Sequence, residues 1–198
     1  MNTTNVRFSS TMLRGTNKAG LIKPDEYGYR EVVLGAFNVH NVRGDYYPLT
    51  DIVRDHFEPG SPFMTRIQRQ SLRGEYDHPW PEPGMTKEAY LQRLGQLNPE
   101  RITHHISEVW LDADNYKDRH GRQIVAVIGK VKPTGKLGHL LDAAFNNPNE
   151  NVAFSVRAYS RNIPTLNGKV RREVTKILTW GPWKDIFIGG RNFFDFAD

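Results

Sequence analysis

Ser155, Arg157 and His78 are residues whose types and setting could do chemistry. In the run NVAFSVRAYS, residues 151–160, Val152, Phe154, Val156 and Ala158 fall on one face of an extended strand. Ala153, Ser155, Arg157 and Tyr159 fall on the other. The first face is uniformly apolar and is expected to be the core, so Ser155 and Arg157 should project together from the opposite face. A serine beside a fixed cation on a rigid strand suits a nucleophile with an electrostatic stabiliser nearby. The same pattern also describes a solvent-facing serine next to a surface arginine. The chain has no G-x-S-x-G elbow, which argues against an α/β-hydrolase.

His78 lies in the run GEYDHP, residues 74–79, between Asp77 and a proline that restricts the backbone. A neutral imidazole there could take the proton of a serine hydroxyl. It could equally be a loop histidine bonded to a carbonyl. His104 and His105 are adjacent on a probable strand, so at most one of them can face a given site. One of them could orient His78 as the acid does in a Ser-His-Asp arrangement. A rival chemistry uses the same histidines: His78 and His104 or His105, with Asp77, Asp112 or Asp114, could form an N/O metal site of a hydrolase or nuclease. Asp112, Asp114 and Asp118 resemble part of a calcium loop, but the Gly and terminal Glu at the required offsets are missing, so a hydrophilic turn is expected. His40, His56, His120 and His139 have no partner signature and are expected at the surface.

The elements that must hold these residues are legible from periodicity. EVVLGAFNVH, 31–40, reads as a mostly buried strand, and NVRGDYYP as a loop. A helix is predicted from Pro48, with Leu49, Ile52, Val53 and Phe57 at helical spacing and Pro59-Gly60 as its end. Residues 58–85 are rich in Pro and Gly and read as a long functional loop. Thr86 is expected to cap a short helix with Tyr90, Leu94 and Leu97 on one face. Strands are predicted at 102–112 and 122–132, a helix at 135–147, and a hairpin of 151–160 with 172–180 around the Asn167-Gly168 turn. The sum is an α+β domain on a mainly antiparallel sheet or barrel. Residues 1–29 read as a flexible or irregular N-terminal arm, 30–198 as one domain with a loop-and-helix insertion at 58–100, and the closing GGRNFFDFAD as peripheral.

The chain is 198 residues long with a net charge of +5, and it has no cysteine. That removes disulfides, thiolate nucleophiles and Cys-ligated zinc. No apolar run is long enough to span a membrane, and residues 1–20 have no apolar signal core, so an intracellular, soluble chain is expected. The modest positive charge suits an ordinary basic surface or work near a polyanion.

These pieces, in this order, resemble the prohead core proteases of tailed bacteriophages, the capsid-maturation serine proteases of T-even and giant phages. The matching segments are NVRGDYYP (41–48), LRGEYDHP (72–79), ITHHISEVW (102–110), the helix at 135–145, VAFSVRA (152–158) and KILTWGP (176–182). The resemblance implies a fold like the herpesvirus assembly proteases, a β-barrel ringed by helices. It implies that Ser155 is the nucleophile and His78 the catalytic histidine. It gives Arg157 a part in supporting the oxyanion, together with backbone N–H groups near Val156. His104 ranks first as third member, with His105, Asp77 and Asp185 open. The family's Ser-Ser-Arg-Gly stands here as Ser155-Val-Arg-Ala158, which changes the expected oxyanion geometry. The implied substrates are the internal scaffold, the capsid protein and the protease itself, cut after Glu, inside the prohead in the host cytoplasm. No cofactor, no membrane and no nucleic acid are implied, and a homo-oligomer is allowed. The non-enzymatic alternative is a capsid or scaffold component that only binds the shell.

Overall fold

The computed structural model describes residues 22–41, 44–118 and 120–182. Residues 1–21, Asp185 and the closing segment of the chain lie outside them. The described strands form two four-stranded sheets. The first is built from β1 (Arg30–Phe37), β4 (Arg73–Glu75), β5 (Ile102–Asp112) and β6 (Val125–Pro133), in the order β1-β6-β5-β4 and antiparallel throughout. The second is built from β2 (Val39–His40), β3 (Tyr46–Tyr47), β7 (Phe154–Pro164) and β8 (Val170–Pro182), in the order β2-β3-β8-β7. Four α-helices, α1 (Asp51–His56), α2 (Pro62–Gln68), α3 (Lys87–Gly95) and α4 (Gly138–Asn146), and a short 3-10 turn at Pro99–Arg101 complete the described residues. The α+β class with antiparallel sheets is as expected, but among the described residues the strands form two separate sheets in place of a closed barrel.

The central strand of the first sheet, β6, is the Val- and Ile-rich run, and both of its faces are covered. Val127 and Val131 join the main core with Val32 and Leu34, and α2 and α4 supply Phe63, Ile67, Leu141 and Phe145 to the same cluster. Ala126 and Ile128 join Val33, Ala36 and Val39 in a second cluster on the other face. This double burial explains why β1 reads as a continuous apolar run.

Several elements differ from the sequence expectation for physical reasons. The strand predicted over 31–40 breaks at Asn38, which takes φ +57°, and Val39 starts the second sheet. Asn38 Oδ1 accepts from the Leu49 N–H at 2.9 Å, the kind of local side-chain bond that lets Asn hold this conformation. The first helix starts later than Pro48, at the Thr50 cap. The segment read as a Pro/Gly-rich loop contains α2, which begins with Ser61 accepting from Met64 N–H and Pro62 in the first turn.

The two sheets meet along a seam between β4 and β8. Thr179 Oγ1 donates to the Arg73 carbonyl at 2.6 Å, and the Asp77 N–H donates to the Pro182 carbonyl at 3.1 Å. The seam is close because two glycines lie in it. A Cβ on Gly74 would collide with the His104 ring and the Trp180 carbonyl, and one on Gly181 with the Glu75 carbonyl. These are the glycines of GEYDHP and WGP, and they bring the end of the first sheet onto the end of the second.

Candidate active site

That seam sets the His78 loop against β7. Ser155 is the second residue of β7 and pairs with Gly181 on β8, while His78 follows β4 directly beyond the Asp77–Pro182 bond. His78 Nε2 and Ser155 Oγ are 2.6 Å apart across 77 positions of sequence. Both side chains are buried, Ser155 fully. Asp77, with φ +58°, turns the chain so that the next side chain enters the site.

Burial lowers the His78 pKa to about 3, and the Arg157 charge adds to the effect. The imidazole is therefore neutral at ordinary pH, the form that can accept a hydroxyl proton. Burial lowers His104 likewise to about 3, with His105 contributing. Both imidazoles resist protonation in the fold, whereas an unfolded chain takes up these protons near pH 6.5. As pH falls through 6.5 the unfolded state binds more protons, so stability falls. Each imidazole should cost on the order of 1 kcal/mol per pH unit below 6.5. Urea midpoints are expected to drop clearly between pH 7.5 and pH 5.5, before most carboxylates titrate. An unchanged midpoint would mean that the two rings protonate inside the fold.

Arg157 is placed differently from the sequence expectation. The face it shares with Ser155 is buried, and its guanidinium runs to the end of α3. Nε donates to the Leu94 carbonyl at 2.7 Å, and Nη2 to the Arg93 and Gln96 carbonyls at 2.7 and 2.6 Å. Nη1 faces the Glu75 carboxylate at 3.3 Å. Arg157 thus ties the inserted helix to the serine strand. A cation fits here because the last carbonyls of a helix lack partners within it. Val156 is half-buried in β7, paired in register with Trp180.

Glu75 completes this cluster and was not singled out from sequence. Its carboxylate accepts from Arg93 Nη1 and Nη2 at 3.2 and 2.8 Å and from the Asn98 N–H. Burial alone would raise its pKa, but these bonds and Arg157 outweigh burial and hold the carboxyl below its ordinary value. No spacing marks Glu75; its one signal is an acid beside the glycine of the GEYDHP run. Tyr90, expected on one face of the helix with Leu94 and Leu97, donates its hydroxyl to the Pro79 carbonyl at 3.1 Å and fastens α3 to the His78 loop.

His104 and His105 point to opposite sides of β5, as their adjacency requires. His104 is fully buried edge-on to Phe154, with ring centroids 5.5 Å apart, and its Nδ1 lies 2.8 Å from Thr103 Oγ1. The other side of its ring faces the Trp180 backbone, so the structure packs His104 against Phe154 and the seam, and no bond from it to His78 is seen among the described residues. His105 lies between the Tyr29 hydroxyl at 2.9 Å and the Gln70 carbonyl at 3.0 Å. Asp112 accepts from Asp114 N–H and Asn115, and Asp118 from His120 N–H and Arg122, so both serve turns. Among the described residues no group of three or more His, Asp or Glu side chains converges into a metal-ligating cluster. His40, His120 and His139 are exposed, and His56 is partly buried.

Residues 8–182 match the family model of the Peptidase S80 family. The chain is 37% identical over 179 residues to the capsid maturation protease of Pseudomonas phage phiKZ, a match that covers 88% of this chain. It spans 64% of that relative's length. The fold is similar to that of the bacteriophage T4 capsid assembly protease, with a TM-score of 0.52, 16% identity, and coverage of 84% of this chain and 92% of the other.

Proposed function

The chain belongs to the Peptidase S80 family, and from that premise we propose that it is a serine endopeptidase acting in phage capsid maturation. The observation that carries this reading is the buried 2.6 Å contact between His78 Nε2 and Ser155 Oγ. A serine and a neutral imidazole held at that distance form a nucleophile and its base. In the proposed reaction His78 takes the Ser155 proton as Oγ bonds to the scissile carbonyl carbon. Backbone N–H groups in the Val156–Arg157 stretch hold the oxyanion. His78 then gives the proton to the leaving amine, and water, activated by the same imidazole, hydrolyses the acyl-enzyme. Arg157 contributes by positioning the strand and by keeping His78 unprotonated. His104 supports the pair from behind, through Phe154.

By the same reading the substrates are scaffold and capsid proteins and the chain itself, cut after Glu within the prohead. The excess of basic residues suits acidic segments in those proteins. Among the described residues no helix is long and apolar enough to cross a membrane.

A fluorophosphonate probe separates this chemistry from the metal-dependent alternative. It is expected to add its mass to the peptide containing Ser155 and to stop turnover, while EDTA leaves turnover unchanged. Chelator-sensitive turnover without acylation of Ser155 would replace the serine assignment. A chain that stays inert toward scaffold, capsid protein and itself would support a purely binding role.

A further inference from the structure

A cleft of about 750 Å³ opens between α1, the start of α2, the end of α3 and β8. Five consecutive residues of β8, Thr175 to Thr179, line it. The pairing of β8 with β7 skips Leu178 and Thr175, so alternation is broken at both, and this bulged stretch borders the cleft with its side chains and its backbone edge. The other edge of β8 is bonded to β7. On the cleft side β8 pairs with β3 at Tyr46 and Arg171, so residues 175–178 have no strand beside them among the described residues. The bulges at Thr175 and Leu178 and the Arg66 bond to the Leu178 carbonyl leave a short edge, around Lys176 and Ile177, for an added strand. The inner end of the cleft is formed by Arg157 and Thr179, which are register partners two positions along β7 from Ser155.

The lining also carries two cations, Arg66 and Lys176. Arg66 is half-buried, and its Nη1 donates to the Leu178 carbonyl at 2.8 Å. No carboxylate among the described residues pairs with Arg66 or with Lys176, which lines the same cleft. Burial lowers the Arg66 pKa, as expected for a cation withdrawn from water without an acid beside it. The acid on the cleft, Asp55, is exposed. Arg157, by contrast, already has Glu75.

We propose that this cleft is a docking groove for an extended acidic segment of the protein substrate. The segment adds along the β8 edge, sets a carboxylate on Arg66 and Lys176, and leads the adjoining chain toward Ser155. The inference rests on the peptidase reading and assigns a site away from the bond that is cut. Apolar walls from Ile52, Leu94 and Leu97 and an open peptide edge suit a polypeptide strand better than a phosphodiester chain.

The test is fluorescence anisotropy on the full chain carrying Ser155→Ala. The probes are a fluorescein-labelled decapeptide pool rich in Glu and the same pool with Gln. The Glu pool is expected to bind at least tenfold more tightly. Adding Arg66→Gln should reduce that preference to less than twofold, and Arg66→Lys should retain most of it. Arg66→Lys also guards against misfolding, since it keeps the charge at the same place. In the chain with Ser155 intact, Arg66→Gln should raise KM for a Glu-bearing substrate and leave kcat unchanged. The proposal is overturned if the Glu preference is absent, if it survives Arg66→Gln, or if a twenty-residue oligo-dT displaces the peptide at equal concentration. Cleavage by the Ser155→Ala chain would sink the Ser155 assignment alone, because the binding arms do not depend on turnover.

Discussion

Ser155→Ala is expected to abolish cleavage of scaffold and capsid proteins while leaving the chain folded. The change removes one oxygen from a fully buried site, where the hydroxyl bonds to His78. Losing that bond costs about 1 kcal/mol, and the orphaned imidazole nitrogen costs a similar amount. A domain of this size keeps its fold under such a loss. Turnover is another matter. Without Oγ no acyl-enzyme can form, and His78 has no proton to move. The loss should approach a million-fold, as for removal of a serine nucleophile that acts as a unit with its base. Co-expression with scaffold and capsid proteins, followed by mass spectrometry of new termini, reads the result. The unaltered chain should produce a defined set of fragments and the variant none. Wild-type termini from Ser155→Ala would place the nucleophile elsewhere.

The contact behind this expectation was legible in the chain only in part. Residue type and strand alternation marked Ser155 and His78 as candidates, but nothing local joins two positions 77 apart. The resemblance to the phage proteases named the pair. Alternation set Arg157 beside Ser155 but did not reveal what covers that face. It implies a polar face open to the site, whereas α3 folds over that face and buries the guanidinium against its own last carbonyls. Long-range packing of an inserted helix leaves no mark on the strand it covers. The same holds for His104. Its type suggested a triad member, but Thr103, Phe154 and Gly74 determine where its ring lies. At the level of fold, β6 and α4 were plain from their apolar periods. The break at Asn38 was not, because one left-handed residue redirects the chain from one sheet to the other while the apolar pattern continues. Whether strands close into a barrel depends on which edges pair, and periodicity is silent on that.

Glu75→Ala is expected to damage both stability and activity, and the reason lies in the charge it leaves behind. Glu75 is the carboxylate paired with Arg157 and with Arg93, whose side chains are 3% and 26% exposed. Without it Arg157 becomes a buried cation with only carbonyl oxygens around it. Removing one partner of a buried pair costs roughly 3–5 kcal/mol. The end of α3, held by Arg93 and Arg157, should loosen, and with it the Tyr90 bond to the His78 loop. Urea midpoints should fall accordingly, and kcat/KM should fall with them. Glu75→Gln keeps the shape but not the charge and should recover only part of the loss. The decisive comparison adds Arg157→Met. If the cost of Glu75→Gln is an uncompensated cation, removing that cation should restore part of the stability, and the double-variant cycle should show a coupling of about 2 kcal/mol or more. Additive losses would mean that Glu75 acts mainly by capping Asn98 and holding Arg93. Turnover should stay low in the double variant even where stability returns, because Arg157 fastens the serine strand to α3 through three carbonyl bonds that methionine cannot make.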